Sequence, residues 1–237
     1  MPPGFKRCEL EARYNVPTIA EDEWHAYTGD QTQNILAGQL ATRQHRQAWV
    51  LNAGAGVYNL RLGGPREVSV DLFRAPIRCH ALAVCATVEH LPFRADAFDA
   101  IVCVGEVLAY CDPAAAIREF ARVAGPTCIL VCDFASSRSA RHWLKRPYGR
   151  AADLVTDLYN GSPENTWIYH PEYIKTLLHS SGFVVSKVVG THTLSALARR
   201  MGATTSFALR LQRFCEWLPW PCNWADIMTI VAVRSAS

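Results

Sequence analysis

An α/β fold built around one mostly parallel sheet is predicted by three features of this sequence. Short β-rich apolar runs alternate with helical or turn segments through the centre of the chain. Two of the intervening segments carry clear helix start and stop signals, and a glycine-rich turn follows the first run directly. The 237 residues, half of them hydrophobic, suffice for one sizeable core, so a single domain is expected.

Seven strands are read, at 48–53, 67–71, 81–85, 99–104, 127–134, 183–189 and 226–234. Before the first, WHAYTGDQTQNILAGQLATRQ predicts a helix starting after Thr28 or Asp30. Between the fourth and fifth, Asp112 can cap and Pro113 open a helix with Ile117, Phe120, Ala121 and Ala124 on one face. Before the sixth, a helix opens at Pro171, aligns Ile174, Leu177 and Leu178, and stops at Gly182. Between the last two strands, Leu194, Leu197, Ala198 and Met201 share one helical face. Phe207, Leu211, Phe214, Cys215 and Leu218 share another, followed by WLPWPCNW. These faces are expected to pack against the domain or a second subunit in preference to a membrane surface. The core is thus assigned to 48–189 and 226–235, with 1–47 as an N-terminal lid, 190–225 as a helical cap, and 135–168 as a further segment outside the sheet.

Composition narrows the function classes. A formal charge of +3 without a block of like charges gives no sign of a nucleic-acid partner. No apolar stretch is long enough to span a membrane, and the opening MPPGFKRCELEARYN lacks the apolar core of a leader, so the cytoplasm is expected. The nine cysteines are scattered without a C-x-x-C pair, and Cys85, Cys103, Cys128 and Cys132 fall in apolar runs. They read as small hydrophobes in a reducing compartment, not as disulfides or metal ligands. A small-molecule substrate fits best, and a homodimer is compatible with the chain.

The chemistry begins after the first strand, in NAGAGVYNL, where Gly54 and Gly56 let the backbone turn sharply and approach a ligand. A dinucleotide fingerprint would need glycine at 59, where Asn59 stands. The second strand ends at Asp71, whose carboxylate could accept hydrogen bonds from both hydroxyls of a ribose. The third leads into EHLPF, followed by AFDAIVCV.

Together these residues resemble the class I S-adenosylmethionine-dependent methyltransferases, particularly the group that includes the quinone-biosynthesis enzymes. The resemblance is clear over about 48–134 and extends more weakly to about 190. It implies a Rossmann-like domain binding S-adenosylmethionine, with Asn52, Ala53, Gly54, Gly56 and Tyr58 facing the methionine part. It also implies Asp71 on the ribose, Leu72 against the adenine, Thr87, Val88 and Glu89 along the adenine edge, and Gly105 and Glu106 towards the transferred group. Asn52 stands where the family usually has an acid, Tyr58 where a third glycine is common, and Thr87 where an acid often precedes E-x-L-P-F. Only fourteen residues separate Gly56 from Asp71, which predicts a very short first crossover.

A sulfonium is already a strong electrophile, so no protein nucleophile and no metal are expected, and alignment can supply about 7–11 kcal/mol. Glu106, Tyr110, His170 and His192 are base candidates; Tyr14, Trp24, Tyr27, Tyr58 and Tyr110 are aromatic rings able to face the sulfonium. Among these, Glu106, Tyr110 and Tyr14 are taken as the catalytic set and Tyr27 as a cofactor contact. Each also has a structural reading: Glu106 caps a turn, Tyr110 is core, His170 caps the Pro171 helix and His192 faces solvent. The expected reaction is methyl transfer to a small, partly apolar metabolite of secondary or quinone-type metabolism. Two alternatives stay open: closure of an azetidine ring by the cofactor's own α-amine, motivated by the neutral Asn52, and a cofactor-binding module without turnover.

Overall fold

A computed structural model describes residues 23–41, 48–57, 66–159, 162–215 and 224–235. Seven strands form the main sheet: β1 (Val50–Ala53), β2 (Glu67–Asp71), β3 (Ala83–Cys85), β4 (Phe98–Cys103), β5 (Ala124–Ala135), β8 (Phe183–Thr191) and β9 (Ile227–Arg234). Their order is β3-β2-β1-β4-β5-β9-β8. Strands β1 to β5 run parallel, while β9 lies antiparallel between β5 and β8. All seven expected strands are present. Strand order reverses beside β1, so the carboxyl ends of β1, β2 and β4 open the crevice where ligands bind in such sheets.

A one-turn helix, α2 (Arg74–Ile77), follows β2, and longer helices cover both faces. On one, α3 (Pro113–Val123) and α4 (Pro171–Ser180) bury Ile117, Phe120, Ile174 and Leu178 against Leu51, Ile101, Leu130 and Ile230. Each such side chain contributes about 1.5–3 kcal/mol by leaving water. The start signals work as read: Asp112 accepts from the Ala114 and Ala115 N–H groups, and His170 Nδ1 accepts from Glu172 N–H. Ala124 belongs to β5 and not to the helix, because it pairs with Phe98 of β4.

On the other face α1 (Glu23–Ala41) packs Ile35 and Leu36 against Val50, Val102, Ile129 and Val231. It begins ahead of the expected start at Thr28 or Asp30. Trp24 and Tyr27 find a partner in His192, a contact that no local signal announces. Here the described part of the expected lid supplies a layer of the core.

The segment after β5 contains an unexpected hairpin, β6 (Ala152–Tyr159) with β7 (Ser162–Tyr169), in a separate two-stranded sheet. Tyr159 pairs with Ser162, so two residues connect the strands, and the sequence there is Asn160-Gly161. That dipeptide favours two-residue hairpin loops and was the legible signal.

Between β8 and β9 stand α5 (Leu194–Arg200) and α6 (Thr205–Cys215). Helix α6 turns Ala208, Leu209 and Gln212 inward, while Phe207 and Phe214 face out. The predicted apolar face of α6 is therefore not the packed one. Gln212 wins the interior by accepting hydrogen bonds from Thr193 N–H and Ser195 Oγ.

Candidate active site

Backbone geometry builds the first half of the site. Gly54 and Gly56 follow β1 with φ of +74° and +54°, a region that costs other residues about 1–2 kcal/mol. Gly54 has a further reason to be glycine: the Val107 side chain occupies the place where its Cβ would stand. Around Gly56 a Cβ would meet nothing within 4 Å among the described residues, which leaves room for a ligand at the turn. Asp71, at the end of β2, accepts from Gly56 N–H through Oδ2 at 2.9 Å and from Phe73 N–H through Oδ1 at 2.9 Å. Burial raises its carboxyl pKa, and these backbone donors work against that rise. Each oxygen retains a second lone pair that a ligand hydroxyl could use.

Beside Asp71, the Ala86 N–H donates to the Asp71 carbonyl, which brings the end of β3 alongside. Thr87 Oγ1 there contacts Glu89 Oε2 at 3.2 Å, and Glu89 Oε1 accepts from Asp112 N–H at 2.8 Å. Val88 points into the core instead of lining an edge. Leu72 is half-buried next to Asp71.

The second half gathers at the ends of β4 and β5. Gly105 (φ +87°) and Glu106 (φ +60°) both hold left-handed backbone, unusual for a glutamate. Their N–H groups donate to the two oxygens of Asp133, at 3.0 and 2.8 Å. Such strain persists only where surroundings fix it, and it clusters at functional sites. Burial, reinforced by the charges of Asp133 and Asp226, pushes the Glu106 carboxyl up to about 8. Burial likewise lifts Asp133 to about 6, held back by its two backbone donors. Arg141 sits 3.4 Å from Asp226 and partly offsets the negative field on Glu106, to which Glu164 of β7 also adds. Val107, next to Glu106, is the residue against Gly54, so the two halves touch.

The expected residues thus divide. Gly54, Gly56 and Asp71 form one unit, and Gly105 with Glu106 forms another joined to it through Val107. Ala53 is buried at the end of β1 as strand core. Asn52 is buried with its amide Nδ2 donating to Glu67 Oε1 at 3.1 Å, on the α1 side of the sheet. An Asn so engaged supports no role in freeing an amine, and the cyclisation reading loses its motive. Tyr110 ends a short 3₁₀ turn over Val107–Tyr110 after Glu106. Tyr14 and Tyr58 lie outside the described residues.

His192 does not face solvent. It is fully buried, with Nε2 2.8 Å from Thr28 Oγ1, Nδ1 3.1 Å from Ser195 Oγ, and its ring stacked on Trp24 at 3.7 Å. It fastens α1 to α5. Tyr27 leans on the same imidazole, and its buried hydroxyl has no hydrogen-bond partner among the described residues. Asp133, Asp226 and Arg141 were not legible as site residues. An Asp inside TCILVCDF reads as a strand end, and the other two converge only when β5, β9 and the 3₁₀ turn at Ala140–His142 meet.

Comparison with known proteins agrees with the fold. Residues 52–132 match the family model described as a methyltransferase domain. No curated protein matches by sequence. Among solved structures, a putative S-adenosylmethionine-dependent methyltransferase from Listeria monocytogenes superposes with a TM-score of 0.61 at 11% identity, over 86% of this chain and 98% of that one. The 1,6-didemethyltoxoflavin-N1-methyltransferase of Burkholderia thailandensis, bound to its acceptor and S-adenosylhomocysteine, gives 0.58 at 15%, over 97% and 87%. The cyclase SpnF gives 0.60 at 15%, over 93% and 85%.

Proposed function

We propose, from the match of residues 52–132 to the methyltransferase-domain model and from a fold shared with solved S-adenosylmethionine-dependent methyltransferases, that the chain transfers a methyl group from S-adenosylmethionine to a small, partly apolar molecule. The single observation that carries this reading is the joining of the Gly54–Gly56 turn and Asp71 to Glu106 through Val107.

The residues fit the cofactor. Asp71 would hold the ribose, Leu72 and Thr87 would flank the adenine, and the open ground at Gly56 and Gly105 admits a ligand close to the backbone. The carboxyls of Glu106 and Asp133 suit a cationic methionine end. When bound, the cofactor supplies an electrophilic methyl group. What remains to the chain is alignment, exclusion of water and a proton acceptor, and Glu106 is the carboxyl placed to take a proton from the acceptor atom. The N-terminal turn of α1, tied to α5 through His192 and Thr28, would close the site from above. The orphaned Tyr27 hydroxyl suits a polar ligand atom there.

Asp71→Ala tests the assignment. It removes charge-assisted hydrogen bonds of about 1.5–3 kcal/mol, so calorimetry should give roughly 10- to 150-fold weaker binding of S-adenosylhomocysteine. Unchanged affinity would refute the site. Tyr27→Phe should raise the melting temperature of the ligand-free protein, because it deletes an unsatisfied buried hydroxyl, yet weaken ligand binding. If ligand affinity is unaltered, Tyr27 has no place at the ligand. Turnover should yield S-adenosylhomocysteine only when an acceptor is supplied; methylthioadenosine formed without one would contradict methyl transfer.

A further inference from the structure

The exposed side of α5, α6 and the loop after the Ala140–His142 turn combines two properties that are rarely displayed together. First, it shows large apolar side chains to solvent: Leu144 is 90% exposed, Met201 80%, Phe214 67%, and Phe207 and Trp143 58% each. Leu144 is held outward on left-handed backbone, φ +63°, a conformation uncommon for leucine. Second, the exposed charge among them is positive. Lys145, Arg146, Arg199, Arg200, Arg210 and Arg213 are exposed, and among the described residues none is paired with a carboxylate. No acidic residue occurs between Asp133 and Asp153 or between Glu172 and Glu216.

These pieces adjoin one another. Arg200 Nη1 donates to the Arg141 carbonyl at 2.9 Å, which ties the end of α5 to the start of the Trp143–Arg146 loop. On α6, Phe207, Arg210 and Phe214 fall on one face at i, i+3 and i+7, opposite the buried Ala208, Leu209 and Gln212. The described carboxylates that touch these segments sit at the margins: Glu23 accepts from Ser206 Oγ, and Asp226 pairs with Arg141 on the inner side.

We propose that this face docks the protein on an anionic membrane surface, with Phe207, Phe214, Met201, Trp143 and Leu144 entering the headgroup boundary and the arginines meeting lipid phosphates. An interfacial helix has this composition: an inner face committed to the protein and an outer one mixing aromatic and basic residues. No described helix is long and apolar enough to cross a membrane, so the contact is peripheral. A second copy of the chain is disfavoured because a two-fold contact would set these cations against themselves. Single-stranded nucleic acid would use the cations and rings but gives Leu144 and Met201 no role. The same loop leads from Arg141, beside Glu106, out to Trp143 and Leu144, so docking would bring the site next to the bilayer, where partly apolar molecules concentrate.

The test is sedimentation of the full chain with vesicles of phosphatidylcholine alone and of phosphatidylcholine containing one third phosphatidylglycerol. Binding should be at least about tenfold tighter to the anionic vesicles and should weaken with added salt. Arg210→Gln with Arg213→Gln should cost about fivefold per charge, and Phe207→Ser with Phe214→Ser should lower binding to both vesicle types while leaving S-adenosylhomocysteine affinity unchanged. These side chains are exposed, so the variants should retain the parent circular dichroism and melting temperature. The proposal is overturned if folded protein ignores anionic vesicles, if the variants bind them undiminished, if sedimentation equilibrium shows a dimer that Phe207→Ser dissociates, or if a single-stranded RNA homopolymer binds more tightly than lipid.

Discussion

Gly54→Ala should destabilise the protein by roughly 2–5 kcal/mol and abolish cofactor binding. The left-handed backbone at φ +74° costs a Cβ-bearing residue about 1–2 kcal/mol. Displacing Val107 from the position the new methyl needs adds about 1–3 kcal/mol, the ordinary cost of overpacking. For a chain of this length the sum lowers the melting temperature by roughly 4–20 °C. Val107 follows Glu106 directly, so the displacement also moves the carboxyl cluster. Gly56→Ala is the control. Its φ of +54° carries the backbone cost, but no neighbour stands within 4 Å, so it should lose only about 1–2 kcal/mol of stability. Calorimetric scanning of the two variants decides the matter: equal melting temperatures would mean that the Val107 contact does not shape the turn.

Glu106→Gln should change how cofactor binding responds to pH. In the ligand-free protein the Glu106 carboxyl, with a pKa of about 8, is largely protonated at neutral pH. A cationic methionine end placed beside it favours the ionised form, so cation binding expels a proton. Affinity for S-adenosylmethionine should therefore climb as pH rises, by up to about tenfold per unit, and level off above about pH 8. S-adenosylhomocysteine, which lacks the sulfonium charge, should show a shallower climb. The Gln variant should flatten both curves and cut turnover wherever Glu106 takes the acceptor's proton. Stability shifts the other way. The folded state holds its proton more tightly than the unfolded chain, so this group's contribution is greatest below the ordinary carboxylate range, about pH 4.5. It declines as pH climbs to about 8, then stays flat. Glu106→Gln should consequently melt higher than the parent at pH 8–9 and close to it at pH 5. A parent whose melting temperature and cofactor affinity are both flat between pH 5 and 9 would rule out this account of Glu106.

Local chemistry made much of the protein readable from its sequence. The seven main-sheet strands follow from β-branched and apolar runs, and the starts of α3 and α4 from Asp112-Pro113 and His170-Pro171, because caps and proline act within one helical turn. Gly54, Gly56 and Asp71 were legible for the same reason, since a turn after one strand and an acid ending the next are features of a few adjacent residues. The β6–β7 hairpin has an equally local signal in the Asn160-Gly161 dipeptide between its strands. Tertiary structure alone decided the rest. Asp133, Asp226 and Arg141 come from separate elements and acquire meaning only where β5, β9 and the loop after β5 converge, with burial setting the carboxyl of Glu106 far above its ordinary range. His192 reads as an ordinary loop residue until α1 brings Thr28 and Trp24 to it. Periodicity placed Phe207 and Phe214 on one face of α6, but a period names no side. Gln212 took the interior because its amide completes hydrogen bonds from Thr193 and Ser195, and that choice left the phenylalanines outside.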